Sequence, residues 1–318
     1  MWQYIVKRLV LMIPTLLGAA LGIFLLMNLV PGDVALLIIG GDQGGDINPR
    51  ELARLREQLG LERPLYVQFL TWLWDVVRLD FGKSLWTGAP IIEELMIRMP
   101  LTLEVAVLAT LVSVIIAIPL GTLAAIRQDT WVDYVVRIVS IGGLAIPSFW
   151  TGILIILFLV IYFEWGPPLE FVSITEDPWE NFKQLVWPIV TVGYRNAAVI
   201  ARMARSTVLE VMREDYVRTA WAKGLHERIV VTKHALKNAM LPVITIIGTE
   251  IAFLIGGLVV TETVFTLNGV GRFMVDAIAR RDIPVVQTLV LLTAFSFVFI
   301  NLIVDLLYAW FDPRISYS

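Results

Sequence analysis

Long apolar runs separated by short polar clusters set the pattern of this chain. A hydrocarbon core of about 30 Å is crossed by about 20 apolar residues in helical form. Six stretches are candidates, at residues 9–30, 101–126, 135–161, 185–201, 241–260 and 286–311. The fourth carries Pro188, Tyr194 and Arg195 inside it, which weakens its apolar signal. Pro119 and Pro147 are expected to kink the second and third, since proline removes a ladder donor and clashes with the preceding turn. The first is too long for a signal-peptide core and runs into Val30-Pro31-Gly32-Asp33 instead of a small-residue cleavage site, so it reads as a retained anchor. These spans predict an all-α integral membrane protein with six transmembrane helices.

Between the first two spans, residues 31–100 are too patterned for a linker. Leu52, Leu55 and Leu59 recur at helical spacing, and Pro64-Leu65-Tyr66 then leads to Trp72 and Trp74. A small helical subdomain at the membrane surface is predicted, with a flexible turn over Gly40 to Gly45. It serves either as interfacial packing through an aromatic belt or as a docking surface for an external protein. Orientation follows from basic residues: with the N-terminus inside, Lys7, Arg8, Arg127, Arg137, Arg195, Arg202, Arg205, the run from Arg213 to Lys237 and Arg314 are all expected in cytoplasmic pieces. The expected organisation is a first helix at 1–30, the extracytoplasmic segment at 31–100, a five-helix core at 101–311 and a cytoplasmic tail at 312–318.

Composition agrees with the pattern. Hydrophobic residues make up 58% and charged residues 17% of 318 positions, which exceeds what a soluble core requires. With no cysteine, disulfides, thiolate metal sites and cysteine nucleophiles are excluded. A net charge of -3 gives no reason to expect nucleic acid as a partner.

The most informative segment is cytoplasmic, within 202–240. Asp215 suits an N-cap, Tyr216 to Lys223 a two-turn helix, and Gly224 the left-handed position past its end. Tyr216, Thr219 and Lys223 share a face, while Ala220 and Ala222 keep the surface small enough for close approach by another protein. Downstream, Lys233 and Lys237 stand four apart, and Pro242 is expected to end or kink the run as the fifth span begins. On composition alone this is a knob that contacts something in the water, or a solvated loop helix that merely obeys the charge rule.

Catalytic motifs fail on inspection. Gly82-Lys83-Ser84 would need glycine at Val77 to form a phosphate loop; Gly269-Val-Gly271 lacks a glycine at Met274; and His226-Glu227 meets Val230 where a zinc helix needs histidine. No nucleotide site or resident metal is expected, so energy for any pumping must come from another polypeptide. Polar residues inside spans are costly, about 2.5–3.5 kcal/mol for a central charge, and therefore informative. Glu250 lies mid-span, with Thr245 and Thr249 nearby, and Thr293, Ser296, Asn301 and Asp305 form a rough stripe on the last span. Thr245, Thr249, Glu250, Ser296 and Asn301 are candidate pathway residues; for Glu250 the alternative is a satisfied structural pairing or a protonated carboxyl.

Arg218-Thr219-Ala220-Trp-Ala-Lys-Gly224-Leu225, with His234-Ala-Leu-Lys-Asn238-Ala-Met-Leu-Pro242 downstream, resembles the EAA coupling loop of ABC importer permeases. Pro14-Thr-Leu-Leu-Gly18, Val30-Pro-Gly-Asp33, Leu59-Gly-Leu61 with Arg63-Pro-Leu-Tyr66, Pro147-Ser-Phe-Trp150, Glu262-Thr-Val-Phe265 and Asp312-Pro-Arg314 are similar, in order, to the dipeptide, oligopeptide and nickel branch of those permeases. Trp221 and His226 depart from the pattern. The resemblance implies the type I importer permease fold and a bacterial or archaeal plasma-membrane location with both termini cytoplasmic. It further implies a second related permease, two ABC ATPases that bind ATP and magnesium, and an extracytoplasmic substrate-binding protein. Asp215, Tyr216, Arg218, Thr219, Ala220, Lys223, Gly224 and Leu225 would then form the ATPase-coupling surface. Peptide is the leading substrate, with nickel or oligosaccharide open. The alternative is a secondary transporter or channel that works alone, for which no inverted repeat is evident.

Overall fold

A computed structural model of the chain describes residues 2–29, 35–36, 49–58, 62–168 and 170–311. Within them the structure is helical, without strands. The helices are α1 (Trp2–Leu29), α2 (Pro49–Gln58), α3 (Leu65–Val77), α4 (Ile91–Ile126), α5 (Trp131–Ala145), α6 (Ser148–Phe163), α7 (Pro178–Val211) and α8 (Asp215–Ala222). After them come α9 (Glu227–Ile229), a π-helical turn (Val230–Ala235), α10 (Leu236–Gly257), α11 (Val259–Val264), α12 (Val270–Ala279) and α13 (Ile283–Phe311). The Val30 to Asp33 motif, the Gly40–Gly45 turn, Leu59 to Leu61 and the 312–318 tail lie outside the described residues.

Among the described residues, four continuous helical stretches are long and apolar enough to cross a membrane: Val6–Leu29, Ile91–Ile126, Glu227–Ile255 and Ile283–Tyr308. The pair α5 and α6 is long and apolar enough only when taken together, and it is bent by 99°, the geometry of a broken span or of a re-entrant loop. The sequence predicted one kinked span there; the structure breaks it. Ile146, just before Pro147, is held in extended backbone at φ -92 and ψ 124, as the clash with a following proline ring demands, so the helix stops and restarts.

Three other boundaries moved. α4 starts at Ile91, not 101, because Pro100 costs one ladder bond without ending a 36-residue helix. Pro242 likewise sits inside α10, and the local irregularity falls upstream, in the π turn. The fourth expected span, 185–201, is the middle of α7, whose 34 residues extend about 51 Å at 1.5 Å per residue. Length is ample, but polar residues keep α7 out of the apolar set. It packs mainly against α10 and α5, so much of its surface meets protein, and a helix shielded by neighbours has no need to be apolar all round.

By its contacts the chain divides into two compact units. One comprises Met1–Arg8, Pro100–Arg272 and Phe299–Ser318. Its core joins Leu101 and Val105 of α4, Leu185 and Ile189 of α7, Leu254 of α10 and Phe265 and Leu267 after α11. A seam of small residues, Ala117, Ala201 and Ala204, lets α4 and α7 approach closely beside Ile200 and Val243. The other unit comprises Leu9–Met99 and Phe273–Val298. In it Phe24 of α1 stacks edge-on against Phe69 of α3 at 5.3 Å, with Trp72 at 6.0 Å from Phe24. The loop before α4 is tied down by Asp282, whose carboxylate accepts from the Ser84 hydroxyl at 2.5 Å and the Leu85 amide at 3.2 Å.

Candidate functional site

Helix α8 is the expected knob. Lys223 follows its last residue, and Gly224 adopts φ +73, the left-handed geometry that glycine takes without a Cβ penalty. Its start differs from expectation. Glu214 occupies the N-cap position without a side-chain cap, and Asp215 is the first helical residue, 3.5 Å from Arg218. There its charge still favours the positive end of the helix dipole.

The knob has two faces. Val217 and Ala220 are buried against Val230 of the π turn, with Val211, Met212 and Leu225 around them. Ala220 is therefore not the small surface residue predicted from sequence: its methyl group allows α8 to seat closely on its own chain. Leu225 is half-buried in the same cluster. Asp215, Tyr216, Arg218, Thr219, Lys223 and Gly224 lie on the exposed side, joined by Trp221 and Ile229. The Thr219 hydroxyl donates back to the Asp215 carbonyl at 2.9 Å.

Two contacts link the knob to the helix beyond it. The Asn238 side-chain amide donates to the Tyr216 hydroxyl at 2.7 Å, and that hydroxyl donates to the His234 carbonyl at 3.5 Å. Asn238 is in α10, so the bond ties the knob directly to a membrane-length helix. Beside the knob's N-terminus, an open cleft of about 520 Å³ is lined by Arg205, Ser206, Leu209, Glu210, Arg213, Glu214 and Asp215. Arg205 also grips α5: its Nε and Nη2 donate to the two carboxylate oxygens of fully buried Asp133 at 2.6 and 2.7 Å. Such a bidentate fork fixes direction as well as charge.

Among the candidate pathway residues, Glu250 is the one with an ionic partner. Its carboxylate lies 3.5 Å from Nη1 of Arg195 on α7; the Glu250 side chain is 12% exposed and that of Arg195 50%. Thr245 and Thr249, one turn apart on α10, donate to Leu241 and Thr245 carbonyls of their own helix. Ser296 and Asn301 share α13, Ser296 half-buried and Asn301 exposed; they fall in different units.

Three constellations escaped the sequence reading. Arg195 was visible as an interruption of the fourth span and as one of the cytoplasmic basic residues, not as a partner of Glu250; Asp133 and Arg205 are 72 positions apart, and the Glu262 carboxylate turns out to be fully buried. It accepts from the Thr102 hydroxyl at 2.7 Å and the Arg272 amide at 2.9 Å. A usable signal was the pair Gly269 and Gly271. A Cβ at Gly269 would fall 2.2 Å from the Glu262 carboxylate, so these glycines leave room for it. Among the described residues no cluster of three or more His, Asp or Glu side chains is arranged to hold a metal.

Residues 117–317 match the family model described as binding-protein-dependent transport system inner membrane component, and residues 1–106 match the N-terminal model of such membrane components. The chain belongs to this family. It is 42% identical over the full length of both chains to a probable peptide ABC transporter permease of Sinorhizobium fredii. Over full length it is 37% identical to a dipeptide transport system permease of Alkalihalophilus pseudofirmus and 39% to a glutathione transport system permease of Salmonella choleraesuis. A family member of this kind is a non-catalytic permease component, with ATP hydrolysis lying in partner subunits.

Proposed function

We propose that this chain is one of two related permease subunits of an ATP-driven importer, forming with its counterpart the path by which di- or oligopeptides enter the cell. Full-length similarity to permeases named for peptides, a dipeptide and glutathione supports peptide as cargo. The observation that carries the mechanism is the knob, an exposed, glycine-ended helix joined through Tyr216 and Asn238 to membrane-length α10. Asp215, Tyr216, Arg218, Thr219, Lys223 and Gly224 meet the ATPase, with Ala220 and Leu225 seating the helix from beneath. Closure of the two ATPases on ATP moves α8 as a rigid body and passes that shift to the spans.

In this reading six spans cross the membrane: α1, α4, the bent α5 and α6, α7, α9 continuing into α10, and α13. Both termini are cytoplasmic in the plasma membrane of a bacterium or archaeon. Residues 31–100 are extracytoplasmic, where a substrate-binding protein delivers cargo, and 101–311 is the translocation core. Thr245, Thr249, Glu250 and Asn301 line the path. The chain itself holds no cofactor, ATP and magnesium residing in the ATPases.

Affinity purification of the tagged chain tests the proposal. Recovery with a second six-span subunit and an ATPase, and ATP-dependent peptide uptake by that assembly, is expected. Ion-gradient-driven uptake by the purified chain alone overturns it.

A further inference from the structure

Arg195 and Arg202 sit seven residues apart on α7, two turns along one face, with Val199 and Ser206 completing the stripe. Arg195, Arg202 and Ser206 are exposed and Val199 half-buried, whereas Pro188 and Thr191, earlier on the same face, are buried. The open stripe therefore begins at the helix midpoint and runs toward its C-terminal end. In the six-span reading Arg195 lies inside a membrane span, and a charge there is costly against hydrocarbon, so this face meets water, cargo or protein. Arg195 keeps half its surface open although one guanidinium nitrogen lies 3.5 Å from Glu250. A guanidinium presents five donors in a fork matched to a carboxylate, and a single contact with Glu250 leaves most of that fork to other acceptors.

We propose that the Arg195–Arg202 stripe is a carboxylate-binding wall of the translocation path and that Arg195 recognises the free C-terminal carboxylate of a peptide in transit. Glu250 holds the guanidinium in place while the path is empty. When a dipeptide arrives, its ends are close enough for its carboxylate to take Arg195 and its ammonium Glu250, so one internal ion pair becomes two pairs with the cargo; a longer chain, at about 3.3–3.6 Å per residue, presents its carboxylate to Arg195 alone. Arg202, about 10.5 Å further along at 1.5 Å per residue, accepts the carboxylate next on its way along the stripe. Zwitterionic dipeptides are thereby favoured over dipeptides capped at either end.

The inference rests on the peptide reading, and the test separates the two. The complete importer, with its binding protein, is reconstituted in proteoliposomes, and uptake of a free peptide is compared with its C-terminally amidated form. Because the same binding protein serves every permease variant, a change in that ratio between variants belongs to the permease. The wild type is expected to prefer the free carboxylate, and Arg195→Gln to lose that preference by a factor on the order of ten, the worth of one charge-assisted hydrogen bond. Arg195→Lys restores part of it, and ATP hydrolysis and assembly persist. An unchanged ratio in Arg195→Gln overturns the proposal. So does loss of the second permease on purifying Arg195→Gln, which would assign the residue to a subunit contact. Absence of uptake of either peptide by wild type defeats the peptide reading itself, before any variant is compared.

Discussion

A carboxylate with none of its surface exposed has to be compensated by its neighbours, and Glu262 shows how this chain does it. Thr102, Gly271 and Arg272 supply hydrogen bonds that favour the charged form, yet burial outweighs them and lifts its pKa above the usual carboxylate value of 4.5. Folding thus shifts the balance toward the neutral form relative to the unfolded chain. Its contribution to stability is complete below pH 4.5 and is lost as pH rises through the raised folded value. Thermal unfolding of the purified protein followed upward from pH 4.5 should show this decline. Glu262→Gln, which resembles the neutral acid, should flatten it while keeping the fold. Glu262→Ala strands several buried donors and should cost about 3 kcal/mol at low pH. A pH dependence identical in wild type and Glu262→Gln would remove Glu262 as its source.

At the scale of elements, legibility tracked how local the cause was. Gly224 was readable because a helix stop needs only its own backbone conformation. Apolar helices were readable because lipid imposes one rule all along them. α7 was not, since its hidden faces are paid for by α10 and α5, contacts that hydropathy of a single segment does not register. The buried side of α8 was equally closed to sequence reasoning: Ala220 turns inward because Val230, ten residues on and the first residue of the π turn, shares its buried cluster. The same geometry makes Tyr216 a tie between elements, its hydroxyl shared between Asn238 and His234. Tyr216→Phe keeps the ring and removes that tie, at a cost of about 1 kcal/mol. The protein should still assemble and its ATPases still turn over, while peptide taken up per ATP hydrolysed falls several-fold. Asn238→Leu should act alike, and the double variant should be little worse than either, since both remove one bond. Additive losses would show that the two residues work separately.

For the whole molecule, the question is whether force from a separate motor enters at one place. The family and the failed nucleotide motifs put hydrolysis elsewhere, so transport depends on a knob that keeps its shape under load. Gly224 ends that knob at φ +73, and the space around it is open, with nothing within 4 Å of where a Cβ would stand. A Cβ there meets no neighbour, and the left-handed backbone sets a conformational cost of about 1–2 kcal/mol for a residue that carries one, and more for a β-branched residue. Gly224→Val should therefore leave the helices and the membrane insertion intact and reshape only the junction between α8 and α9. Purified with its partners, such a variant should hydrolyse ATP with little or no peptide uptake, and Gly224→Asn, which tolerates left-handed backbone, should recover much of the coupling. The discriminating measurement is the ratio of uptake to hydrolysis across the glycine, asparagine and valine series. If valine matches glycine in that ratio, the left-handed turn is dispensable and the path of force lies elsewhere in the chain.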